Sequence, residues 1–326
     1  EMCIRDRINA GRGGMWLLDP NNVTITTTAT SGGSLPNYNA SSSSPPSVVN
    51  ATDLQNQINA GTSVTIIATG TITQTSNLTF APASGVNVSL TYDTRTGTAQ
   101  SITLNGTTTN TGAGNLTLNY LSSGQIIISG AINSTSTGKI NLVAQSFYAT
   151  NTISSCTSGA CASIYNTSTG TITTKGGYVV FDATGGTLNG TAITMGTIVN
   201  GPVYLNAGIN TTTSGAATSS IGGDFSLAAT NNLANGVGSF EPNAITLNIG
   251  GNANFQLKSY TSANYGFVIA SFGTTSPINV YGNIDISSSG ITSSGYGLIY
   301  LSSSLTSTTG NISLSATSTN VTSTTN

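Results

Sequence analysis

Gly138-Lys139-Ile140-Asn141-Leu142 and Gly282-Asn283-Ile284-Asp285-Ile286 carry one pattern: a glycine, any residue, then two apolar residues separated by a polar one. The pattern also appears at Gly114-Asn115-Leu116-Thr117-Leu118, Gly201-Pro202-Val203-Tyr204-Leu205, Gly223-Asp224-Phe225-Ser226-Leu227 and Gly310-Asn311-Ile312-Ser313-Leu314. Apolar and polar residues alternating with period 2 form half-buried strands. The glycine ahead of each strand is expected to supply a bend. Strands this short are unstable alone, so the copies must stack on one another.

The spacing tells how they stack. Gly114 to Gly138 is 24 residues, as is Gly177 to Gly201, and Gly201 to Gly223 is 22. Turns of roughly 20 to 28 residues holding two or three short strands predict an all-β fold, a right-handed parallel β-helix (β-solenoid) with loop excursions. Roughly 12 to 15 turns, rising about 4.8 Å each, make a rod of roughly 60 to 70 Å. Asn77, Asn87, Asn115, Asn254, Asn283 and Asn311 sit just before strands, where stacked side-chain amides satisfy the backbone at corners.

Composition narrows the function classes. Charged residues are 5% of the 326, histidine is absent and the formal net charge is −2. Recurrent apolar pairs at so low a charge favour a folded chain over a disordered one. No basic patch offers phosphate neutralisation, so nucleic acid is not an expected partner. No run approaches the ~20 apolar residues of a membrane-spanning helix, so membrane insertion is not expected. Helix is scarce. The best candidate is Asp53–Gly61, with Thr52 or Asp53 as N-cap, Leu54 and Ile58 on one face and Gly61 as terminator.

The chain divides into three parts. Residues 1–12 hold Glu1, Arg5, Asp6, Arg7 and Arg12, five of the sixteen charged residues. Glu1-Met2-Cys3-Ile4-Arg5-Asp6-Arg7 resembles translated adapter sequence from assembled reads; the alternative is an ordinary charged linker. Residues 13–67 hold the only Trp in Gly13-Gly14-Met15-Trp16-Leu17-Leu18-Asp19-Pro20, then a turn and an alternating strand from Val23. A Ser-, Pro- and Asn-rich loop excursion, Ser31–Asn50, comes next. The part closes with the helical turn and Asn59-Ala60-Gly61-Thr62-Ser63-Val64-Thr65-Ile66. The β-helix repeats fill 68–326.

The Trp16-Leu17-Leu18-Asp19-Pro20 stretch and the Asn59–Ile66 strand together resemble filamentous haemagglutinin-like exoproteins, adhesins exported by two-partner secretion, just downstream of their secretion domain. The resemblance implies a segment of a longer protein, exported through an outer-membrane two-partner secretion transporter by an N-terminal domain that this sequence lacks. It implies an extracellular location at a Gram-negative cell surface, and as partner a host or bacterial surface glycan or protein.

Chemistry is sparse. Cys156 and Cys161, with four residues between them, suit a disulfide closing a small loop; two unpaired thiols are the alternative. No histidine or further nearby cysteine completes a metal site, and no cofactor motif occurs. Many parallel β-helices cleave polysaccharides with paired carboxylates. The acids beyond the head are Asp19, Asp53, Asp93, Asp182, Asp224, Asp285 and Glu241, with only Asp182 and Asp224 spaced as if two turns apart. Lys139, Lys175, Lys258 and Arg95 are scattered and no serine has a base, so no enzyme is expected and no catalytic residue is assigned. A lattice binder needs threonines in register on successive turns. Thr24-Ile25-Thr26 and Thr71-Ile72-Thr73 are spaced too irregularly to suggest that. Tyr165, Tyr178, Tyr204, Tyr260, Tyr265, Tyr281, Tyr296 and Tyr300 form sugar-stacking strips only if exposed. The function expected is a structural and adhesive rod; the alternative is a carbohydrate-binding or carbohydrate-active β-helix.

Overall fold

The computed structural model describes residues 15–18, 22–31, 47–98, 100–147, 164–166, 169–183, 198–199, 203–207, 211–214, 218–231, 240–243, 246–259, 267–269, 277–290, 299–301 and 304–317. Its strands are short and alternate cleanly: in Asn115–Ser122 every second residue is buried. All strand pairings are parallel, save one isolated antiparallel bridge between Ser31 and Val48. The first sheet stacks eleven strands from Met15–Leu18 to Ile312–Thr317, the second six and the third nine. A coil takes one strand of each sheet in turn, as in Asn87–Asp93, Ile102–Leu104 and Thr108–Asn110, before Asn115–Ser122 returns to the first sheet. The fold is a right-handed parallel β-helix. Eleven strands span about 48 Å at the ordinary sheet spacing, a shorter rod than expected. One coil takes 37 residues from Asn141 to Tyr178, so fewer coils consume the chain.

In-register columns build the core. Val64, Leu90, Leu118 and Leu142 stack in the first sheet, and Ile72, Ile102, Ile126 and Ile164 in the second, all 0% exposed. Burying each such side chain contributes about 1.5–3 kcal/mol. Rings stack coil on coil as well: Tyr92 with Tyr120, and Phe225 with Phe255, each at 5.4 Å between centroids.

Polar groups also enter the interior. Gln74 takes an inward position of the second sheet, and its Nε2 donates to the Gly106 carbonyl and to Thr108 Oγ1, both at 3.1 Å. The Tyr92 hydroxyl donates to Gln74 Oε1 at 3.2 Å. Tyr120 Oη is buried beside Thr108 without a hydrogen bond of ordinary geometry. Burial pushes both phenols above their usual pKa, and the neighbouring Tyr120 adds to the shift of Tyr92.

The corners correct the reading of the glycines. Among the described residues only Gly61, Gly85, Gly176 and the non-glycine Lys175 have positive φ. The repeat glycines serve close approach instead. A Cβ on Gly138 would strike the carbonyl oxygens of Gly114 and Gly112, and one on Gly310 would strike the backbone of Gly282 and Asn283. Coils stacked at strand spacing leave no room for a side chain there.

The asparagine ladders do form. Asn115 Nδ2 donates to Asn87 Oδ1 at 2.8 Å, and Asn77 Oδ1 accepts from the Thr107 amide at 2.8 Å. A second ladder climbs Asp224, Asn252, Asn283 and Asn311, each backbone amide donating to the Oδ1 one coil below at 2.7–2.9 Å. Asn254 is not a rung. It lies inside a strand, in register with Ser226 and Asp285, and Asn252 takes the corner.

Repeats aligned by their glycines are not in structural register. Phe225 stacks over Val203, Val179 and then Leu142, the second apolar residue of its repeat, so the two halves are offset by two residues. An even offset keeps inward residues inward.

The first coils are closed off by an element the sequence only partly foretold. The helix is Ala51–Asn59, and its N-cap is Asn50, not Thr52 or Asp53. Asn50 Oδ1 accepts from the Thr52 and Asp53 amides while its Nδ2 donates to the Thr27 and Thr28 carbonyls. Leu54 and Ile58 are buried, as expected. Gln55 and Asn59 accept from the Thr79 and Ala81 amides at 2.5 and 2.6 Å, replacing the strand that the third sheet lacks below Leu78–Phe80. Ser47–Asn50, expected as loop, is a strand paired to Val23–Thr26 at the end of the second sheet. Its Ser47 and Val49 face inward, which a Pro-rich neighbourhood concealed.

Candidate functional site

Trp16, Leu17 and Leu18 lie on the first strand of the first sheet, in register with Val64, Thr65 and Ile66. Asp19 and Pro20, and the pair Cys156 and Cys161, lie outside the described residues, as does most of the Ser31–Asn50 stretch.

Asp182 and Asp224 do not converge. Asp182 stacks with Asn206 and then Ala228, so Asp224 stands four strand positions away, about 13 Å along the sheet. Asp224 Oδ1 is engaged by the Asn252 amide. Among the described residues no group of three metal-ligating side chains forms, and no helix is long and apolar enough to cross a membrane.

Threonines align better than their spacing suggested. Thr24, Thr73 and Thr103 share one outward column of the second sheet, because unequal corners are absorbed between strands rather than within them. Of the tyrosines considered for stacking, Tyr178 and Tyr281 are exposed, at 36% and 59%. They stand at the same corner of the rod but on distant coils, so they form no continuous strip. The side chains of the other six lie outside the description.

One cluster joins charge to an exposed ring. Asp93 ends a first-sheet strand, and Arg95 follows in the corner. Arg95 Nε donates to Asp93 Oδ1 at 2.9 Å and Nη2 to Oδ2 at 2.6 Å, a two-pronged pairing that is the one ion pair among the described residues. Hydrogen bonding to Asp93 raises the guanidinium pKa. The Arg95 side chain reaches over Ser123 to Phe147, two coils up, with its central carbon 5.5 Å from the ring centroid. Phe147 is 41% exposed. Beside it, Gln145 Nε2 donates to Asp182 Oδ2 at 3.4 Å.

Sequence reading had scattered these residues. They are adjacent only once coils stack 28 and 24 residues apart. A signal was present: Asp93 and Arg95, at i and i+2, are the one opposite-charge pair so close together beyond residue 12.

The corner holds a paired cation, an amide and an aromatic face side by side. No protein-family model, curated protein or solved structure matches this chain.

Proposed function

We propose that this chain is a rod segment of a secreted bacterial surface adhesin, exported through an outer-membrane two-partner secretion transporter and held outside a Gram-negative cell. The observation that carries the reading is the unbroken eleven-stranded first sheet, which makes a stiff, weakly charged column. The Trp16–Pro20 resemblance supplies the family, and a surface glycan or protein is the partner. The test is binding of the purified 326-residue chain to epithelial and bacterial cells. Saturable binding is expected. A folded, β-rich sample that binds no cell overturns the adhesive part of the reading and leaves a spacer.

A second reading, carbohydrate binding, is favoured by the Asp93–Arg95–Phe147 corner, where a held guanidinium borders an exposed ring.

A further inference from the structure

We propose that the corner formed by Asp93, Arg95, Gln145 and Phe147 is a contact subsite for a neutral oligosaccharide. The proposal rests on the adhesive reading and names where, and to what chemistry, the rod adheres.

Stability accounts for Asp93, which is largely buried and also accepts from the Arg95 backbone amide at 2.9 Å. It accounts less well for the Arg95 side chain, which is 45% exposed, where an ion pair contributes little. The neighbouring coils fill the Asp93 column without charge, using Ile67, Leu121 and Gln145, and put Ser123 in the Arg95 column. The fold therefore runs well with uncharged residues here. In a chain with sixteen charged residues in 326, a paired Asp and Arg at one corner asks for another explanation.

The geometry suits a sugar. Pairing with Asp93 engages two of the five N–H donors of the guanidinium and fixes its plane, leaving three for other acceptors. A pyranose offers adjacent hydroxyls, which match a rigid fork of donors. It also offers a face of C–H groups, which packs on an aromatic ring. Phe147 presents that ring at 41% exposure, beside the Arg95 fork, and the Gln145 amide stands two residues before it. Polar side chains already oriented by one another lose little freedom on binding.

Charge decides the class. Asp93 cancels Arg95, and Asp182 adds a negative charge beside Gln145. A sulfated or uronic-acid chain would meet repulsion there, whereas a neutral one meets none.

The experiment screens the whole chain against neutral and acidic oligosaccharides, then titrates the best neutral ligand by calorimetry. Phe147→Ala and Arg95→Lys should each weaken binding by about tenfold or more, while Tyr281→Ala, at another corner, should change it by less than about twofold. Far-UV circular dichroism verifies that each variant keeps its β structure. The proposal is overturned by a wild-type chain that binds no neutral oligosaccharide, by acidic chains binding better, or by Phe147→Ala binding like wild type. Unchanged cell adhesion in Phe147→Ala sinks the subsite and spares the adhesive reading. Oligosaccharide binding without cell adhesion does the reverse.

Discussion

The coils between Ser63 and Phe147 and those beyond Val203 use the same strands differently. In the first group three sheets close around a core of Leu, Ile and paired tyrosines. In the second the first and third sheets continue, and the second side of each coil is taken by Thr211–Ser214 paired with Phe240–Asn243 and by Phe267–Ile269 paired with Ile299–Leu301, each strand lying between a first-sheet and a third-sheet strand in chain order. The last strand, Ile312–Thr317, is exposed along its whole length. The order of the three sides is thus kept from coil to coil, while the pairing along the second side passes to separate ladders.

The contrast can be broken most severely at the repeat glycines. Gly138→Ala puts a Cβ against two backbone carbonyls and should cost more than about 4 kcal/mol, which chemical denaturation would read as loss of the folded state. Gly85→Ala, at φ +77° with open space around it, should cost only about 1–2 kcal/mol. Equal losses at the two sites would refute close approach as the reason for the repeat glycine.

Core truncation separates the two regions next. Leu118→Ala should destabilise by about 2–5 kcal/mol. Leu314→Ala, in the exposed last strand, should stay within about 0.5 kcal/mol. Matching melting shifts would mean that the terminal coil is packed as tightly as the early ones.

The buried tyrosines among the described side chains belong to the early coils. Gln74→Leu strands the Tyr92 hydroxyl and should cost about 1–3 kcal/mol, and adding Tyr92→Phe should return part of that loss. Tyr92 and Tyr120 also give the early coils an alkaline weakness. Their folded-state pKa values are raised, so the stability they confer is complete below the ordinary phenol value of about 10. That stability is lost as pH climbs above it, since the unfolded chain ionises first. Tyrosinate absorbance should show a fraction that appears only with unfolding, and Tyr92→Phe and Tyr120→Phe should shrink it. A single smooth titration at the ordinary value would show that these phenols meet water.

A modest effect sits at the helix that closes the first coils. Asn50→Ala should cost about 1 kcal/mol, seen as a lowered melting temperature. No change would mean that Ser47–Asn50 holds the helix start without its side chain.

The first sheet was legible because its repeats alternate strictly and carry a fixed glycine, and the helix because Leu54 and Ile58 share a face. Inward polar residues were not legible. Gln74, Thr108 and Asn110 look like the threonines and asparagines that face water, and only stacking gives them partners. The two-residue offset between halves was hidden because even shifts leave the alternation unchanged. The Arg95–Phe147 contact was hidden because it spans two coils. The N-cap was missed because Asn50 is also the last residue of a strand.

The parallel stacking also sets how the rod would yield under load. Its inter-coil hydrogen bonds run along the axis, so tension between the ends opens them one coil at a time rather than shearing many together. At the first coils the Asn50-capped helix adds side-chain bonds to the third sheet, from Gln55 and Asn59, that peeling must break as well. Each coil of 28 residues then releases about 95 Å of extended chain. Drawn along its axis, the molecule pays out like thread from a spool, giving way in stages while the neighbouring coils stay wound.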